Sequence, residues 1–113
     1  MLTVKDREES GVMIFDLEGQ IDGGPESKKL HDMIKESLEK GLKKFILNME
    51  DVRWLNSLGT GILIAAYASA KREEAVLKLN SVSDRVGIVL KMSGLIPEVF
   101  EVFDSEQEAL KSF

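Results

Sequence analysis

The chain has 113 residues, 43% of them apolar and 31% charged, with a formal net charge of −5 and no cysteine. That length suits one compact domain, since halves of it would sit near the lower limit for independent folding. The acidic balance excludes a nucleic-acid binder and an electrostatic membrane-surface role, both of which need a basic footprint, and the lack of cysteine removes disulfides, thiol nucleophiles and zinc–thiolate sites.

Leu2 to Lys5 and Val12 to Leu17 read as two strands. The polar run Arg7-Glu8-Glu9-Ser10-Gly11 between them ends in a turn glycine, so the pair is expected as an antiparallel hairpin. The opening residues lack a basic segment followed by an apolar stretch, so no signal peptide is expected. The longest apolar run, Ile62 to Ala68, is too short to span a bilayer, and the expected location is cytoplasmic. Gly19 to Pro25 reads as a loop. Pro25 suits the first turn of a helix in which Leu30, Ile34 and Leu38 recur every four residues, with Met33 beside them and Gly41 closing it.

Lys44 to Met49 is a short apolar run of strand length, followed by a predicted connection, Glu50 to Leu55. Asn56 and Ser57 are both good N-cap residues for an alanine-rich helix that runs from Ile62 to Arg72. Ala75 to Leu79 is another strand. Ser83 can cap a helix over Asp84 to Ser93, with Gly94 after it, and Val99 to Phe103 reads as a short strand or extended segment. Ser105-Glu106-Gln107-Glu108 fits the capping box of a last helix. This alternation predicts an α/β fold in a single domain over residues 1–113. Its mixed, mostly parallel sheet has about four or five strands, an N-terminal antiparallel hairpin and about four helices.

The segment that carries most chemical information is Asn56-Ser57-Leu58-Gly59-Thr60-Gly61. Unpaired N–H groups at a helix start carry partial positive charge, and glycines leave them uncovered, so this place tolerates a phosphate on a nearby hydroxyl. The plainer reading is that Ser57 or Asn56 merely caps the helix. A dinucleotide fingerprint fails, because Ile64 stands where the third glycine belongs and no acidic residue closes the next strand, which ends in Leu79-Asn80. No Gly-Lys-Ser/Thr follows for a P-loop, so weak nucleotide contact is all that remains of that reading. The only histidine, His31, lies at the edge of the first helix's apolar stripe, and Ser57 has no evident base or orienting group. The carboxylates are scattered without metal-ligand spacing, so neither a catalytic residue nor a metal or other cofactor is expected. Asp22 lies in a glycine-rich loop after a strand, a common place for functional residues. Trp54 is expected as a partly buried anchor on the connection before Ser57.

Asn48-Met49-Glu50-Asp51-Val52-Arg53-Trp54-Leu55-Asn56-Ser57-Leu58-Gly59-Thr60-Gly61 resembles the signature of the STAS domain as found in bacterial anti-sigma factor antagonists. Leu17-Glu18-Gly19-Gln20-Ile21-Asp22, Leu90-Lys91-Met92-Ser93-Gly94-Leu95 and Phe103 to Leu110 resemble three further segments of that family, in the same order. Asn48 and Asn56 stand where aspartates are common, and Leu58 replaces a second serine. The resemblance implies a STAS-like fold and a non-enzymatic partner switch with Ser57 as the phosphorylated residue. Asp22, Asn56, Ser57, Leu58, Gly59, Thr60 and Gly61 would contact the partner, with Asp51 expected near. The implied partners are an anti-sigma factor that is also a serine kinase and a PP2C-type phosphatase. Two alternatives stay open: a scaffold or sensor module of a stress complex or transporter, and a flavodoxin-like nucleotide-binding domain or small enzyme.

Overall fold

A computed structural model describes all 113 residues. Strands β1 (Leu2–Glu9) and β2 (Val12–Ile21) form the antiparallel hairpin. Its two-residue turn, Ser10 and Gly11, has both residues in the left-handed region, the turn whose twist matches that of paired strands. β1 continues through Asp6 to Glu9, beyond the predicted strand. This is an edge strand with one exposed side, where charges cost little and discourage edge-to-edge association.

Helix α1 (Pro25–Glu39) leads to β3 (Lys44–Leu55), α2 (Ser57–Arg72), β4 (Val76–Asn80), α3 (Asp84–Met92), β5 (Val102–Phe103) and α4 (Glu106–Lys111). The five strands lie in chain order, and every pair after the hairpin is parallel. Right-handed crossovers that all step the same way put their helices on one face. Accordingly α1, α2 and α3 share a single core of 22 buried residues, among them Leu30, Ile34, Leu63, Ala66, Val86 and Leu90. The short α4 covers the other face, where Ala109 packs on Val12, Ile14 and Ile46.

The helix expected from Ile62 begins five residues earlier, at Ser57, and three further expectations change. The predicted loop start Gly19-Gln20-Ile21 and the predicted connection Glu50 to Leu55 are strand, and they pair with each other: Glu18 with Asp51, Gly19 with Val52, Gln20 with Trp54, and Ile21 with Leu55. Register shifts between Asp16 and Glu18 and between Gly19 and Gln20 break the two-residue period. Met49, Val52 and Leu55 are therefore buried at a spacing of three, which does not read as a strand. At the other end, only Val102 and Phe103 of the predicted Val99–Phe103 segment pair with β4. Phe100 instead enters the core, edge-on to Tyr67 at 5.4 Å between ring centroids.

The consequence for the site is positional. The C-terminal ends of β2, β3, β4 and β5 reach one edge of the sheet, and all four helices start there. This is the edge where open α/β sheets place their binding groups.

Candidate functional site

Asn56, not Ser57, is the N-cap of α2. Its backbone is extended, and its side-chain oxygen accepts a hydrogen bond from Gly59 N–H at 2.9 Å. Its carbonyl accepts from the Thr60 N–H at 2.8 Å and from the Thr60 hydroxyl at 3.0 Å. Two of the first-turn donors are thereby satisfied, and the N–H groups of Ser57 and Leu58 are left without a partner inside the helix. Ser57 follows the cap as the first helical residue and is exposed. Thr60 is only 5% exposed and its hydroxyl is engaged, so Ser57 carries the accessible hydroxyl of this segment.

Close packing fixes this helix start against the end of β2. A Cβ on Gly59 would lie 1.8 Å from the Ile21 carbonyl oxygen, and one on Gly23 would lie 2.4 Å from Leu58 Cβ. Gly23 also has φ of +84°, where a side chain is strained. The Asn56 N–H donates to the Ile21 carbonyl at 3.3 Å, closing the same junction. Asp22 lies in this loop. Its carboxylate accepts from the Gly24 N–H at 2.9 Å, which holds it below the usual carboxylate range, while burial opposes that shift. Ser27, fully buried in the first turn of α1, accepts from the Asp22 N–H at 3.1 Å. Neither Ser27 nor Gly23 stands out in the sequence as a site residue. The signals for them were a serine in register with the Leu30–Ile34 stripe and a paired glycine after a strand.

The residues expected at the partner surface thus divide by exposure. Ser57, Leu58 and Gly61 are exposed, Asp22 and Asn56 are half-buried, and Gly59 and Thr60 are buried. Leu58 keeps 69% of its surface exposed, more than any other large apolar side chain of α2. A Cβ on Gly61 would meet open space. Asp51 is not at this edge. It pairs with Glu18 and lines a small cleft with Thr3, Lys5 and Asp16, four strand positions before Leu55. Trp54 is half-buried as expected but stands on β3.

His31 sits elsewhere. Its Nε2 lies 2.9 Å from the Ser69 hydroxyl, across the α1–α2 contact. Burial is the main cause that pushes its pKa below the ordinary histidine value, with Lys35 and Arg72 adding to it and Asp32 opposing. A histidine facing Ser69 in the last turns of α2 cannot serve Ser57 in the first. No group of His, Asp and Glu side chains is arranged to hold a metal ion, and no helix is long and apolar enough to cross a membrane.

Comparison with known proteins gives a consistent family. The STAS domain family matches residues 3–109. The anti-sigma-B factor antagonist of Staphylococcus aureus is 24% identical over 67 residues, which span 59% of this chain and 62% of that protein. An anti-sigma factor antagonist from Mycobacterium paratuberculosis superposes with a TM-score of 0.83 at 18% identity, covering 99% of this chain and 93% of that one. The anti-sigma factor antagonist SpoIIAA in its unphosphorylated form gives 0.83 at 18% identity, over 97% and 95% of the two chains. A sulfate transporter family protein from Wolinella succinogenes gives 0.73 at 28% identity, over 92% and 85%. The chain belongs to the STAS domain family, the family of the anti-sigma factor antagonists it resembles.

Proposed function

We propose that this protein is an anti-sigma factor antagonist that binds an anti-sigma factor when unphosphorylated and is released when Ser57 is phosphorylated. The observation that carries this reading is an exposed hydroxyl at the first position of α2, beside the exposed Leu58, with the neighbouring Thr60 hydroxyl buried and engaged. A kinase reaches Ser57 without unfolding the helix. The bound partner covers Leu58 and the open backbone at Gly61, an apolar contact flanked by Asp22. Phosphate adds about −1.5 to −2 charges at pH 7. Within a closed interface that charge loses its water and faces Asp22, so the partner's affinity falls. In the free protein the first-turn N–H groups and the helix dipole accept it. A serine kinase of the anti-sigma factor type writes the mark and a PP2C-type phosphatase removes it.

The test is incubation with ATP and the anti-sigma factor kinase encoded nearest to this protein, read by mass spectrometry of the intact chain and its peptides. One phosphate on Ser57 is expected, and Ser57→Ala should abolish it while binding the kinase as tightly as the parent. Persistent labelling of Ser57→Ala rejects the site. The 28% identity to a sulfate transporter family protein favours a second reading, a scaffold module that docks without phosphorylation. Failure of every kinase to label the chain, with Ser57→Glu neutral for partner binding, would favour it.

A further inference from the structure

Ser27 interrupts the apolar stripe of α1 with a hydroxyl. It stands three residues before Leu30 and seven before Ile34, and all three are fully buried. A hydroxyl in that position needs hydrogen-bond partners, and alanine would suit both the helix and the core better. Ser27 does not serve its own helix. The N-cap of α1 is Gly24, which offers no side-chain oxygen, and the Ser27 hydroxyl bonds to no residue of α1. Both of its bonds go to Asp22. Its oxygen accepts from the Asp22 N–H at 3.1 Å, and the hydroxyl donates to Asp22 Oδ1 at 3.4 Å.

Asp22 stands where the chain restrains itself least. Only Asp22, Gly23 and Gly24 join β2 to α1, and glycine leaves the backbone its widest freedom. Ser27 grips the Asp22 amide and Oδ1 from one buried atom, and the Gly24 N–H adds a third bond to Oδ1 at 2.9 Å. The main chain and the side-chain torsions of Asp22 are thereby fixed together. Oδ2 accepts from no group of the chain, and Asp22 joins no ion pair. The carboxylate is therefore held in one orientation with one oxygen free, next to the Gly23 that packs on Leu58.

We infer that Ser27 is a positioning residue of the partner surface, which holds the Asp22 carboxylate in one orientation beside the start of α2. The inference rests on the partner switch proposed above. Fully buried, Ser27 reaches no partner itself and acts through Asp22 alone. A loose carboxylate would have to be ordered as the partner binds, at a cost in conformational entropy, and one already fixed from beneath avoids that cost.

The experiment is a double-mutant cycle on partner binding. The parent, Ser27→Ala, Asp22→Ala and the double variant are titrated by calorimetry against the anti-sigma factor kinase encoded nearest to this protein. Far-ultraviolet circular dichroism and urea unfolding of each variant accompany the titrations. Ser27→Ala removes one oxygen at a buried helical position that favours alanine, so it should fold normally. It is expected to weaken binding at least fivefold in the parent and less than twofold once residue 22 is alanine. Equal losses in the two backgrounds would overturn the inference, because Ser27 would then act by a route other than the carboxylate. An unchanged dissociation constant would overturn it too, whatever the urea midpoint does, since a purely structural hydroxyl moves the midpoint alone. Failure of the parent itself to bind would reject the partner switch, and the inference with it, so the two failures are told apart.

Discussion

At the scale of single residues, α2 contains two glycines two positions apart with opposite constraints. A methyl at Gly59 meets the Ile21 backbone carbonyl, which cannot move without breaking the β2–β3 ladder, whereas a methyl at Gly61 meets solvent. Gly59→Ala is expected to destabilise by about 3 kcal/mol, the upper end of an overpacking penalty. Gly61→Ala should stabilise by about 0.5–1 kcal/mol through the unfolded chain. Urea unfolding of the two variants checks both signs. Gly61→Ala also tests the interface, because its methyl projects beside Ser57, one helical turn away. A tightened fold with weakened partner binding is the expected combination. The sequence made both glycines conspicuous but could not separate them, since the distinction rests on Ile21, nearly forty positions away. Asn56 is a second such case. Either Asn56 or Ser57 was chemically fit to cap, and the register of the Gly59 N–H selects Asn56. Asn56→Ala should cost about 1 kcal/mol. Asn56→Asp should hold stability in the free protein, because a carboxylate caps as well and suits the helix dipole. Once Ser57 is phosphorylated the same carboxylate faces a dianion, so the unfolding midpoint of phosphorylated Asn56→Asp should fall below that of the phosphorylated parent.

At the scale of elements, the α1–α2 contact carries the chain's only histidine. Sequence periodicity placed His31 at the edge of the α1 stripe, where it is. Its partner Ser69 was hidden, because a serine within an alanine-rich helix looks like any small residue until the two helices are set side by side. The contact predicts a pH dependence with a definite sign. In the folded protein burial, with Lys35 and Arg72, disfavours the imidazolium, and only Asp32 favours it. The unfolded chain takes up the proton near the ordinary value of 6.5, before the folded chain does. The histidine's contribution is therefore complete above 6.5 and declines as pH falls through that value towards the lower folded-state pKa. Urea midpoints between pH 8 and 5 should fall in the parent relative to His31→Gln, which keeps a polar group for Ser69 without titrating. Parallel curves for the two proteins would remove His31 as the cause. The β2–β3 pair shows the converse limit of legibility. Their apolar first halves were plain, and their second halves were not, because the bulges shift burial to a three-residue spacing that lacks the alternation of a strand. That hidden extension carries Ile21 and Leu55 to the sheet edge and so sets where α2 begins.

At the scale of the whole molecule, the phosphorylation site proposed for this chain sits on the rim of a core that does not depend on it. The 22-residue cluster is closed by α1, α2 and α3, and the opposite face is tied down separately. There Arg7 pairs with Asp16 at 2.8 Å and also reaches Glu106, joining the hairpin to α4. The Lys78 ammonium donates to the Ser112 hydroxyl at 2.8 Å and lies 4.4 Å from the centre of the Phe113 ring. None of these contacts involves the α2 N-terminus. A charge added at Ser57 can then alter affinity only by binding differently to the partner in the two states, since an equilibrium moves by differential affinity and nothing else. Ser57→Glu, which brings a smaller charge than phosphate, should weaken binding of the anti-sigma factor at least tenfold. Far-ultraviolet circular dichroism and the amide exchange of β3 and β4 should match those of the parent. If the substitution weakened binding while unprotecting β3, the switch would be local unfolding of α2 rather than a charged interface. If it left the dissociation constant unchanged, charge at Ser57 would not be the gate, and the apolar surface of Leu58 would be the next place to seek it.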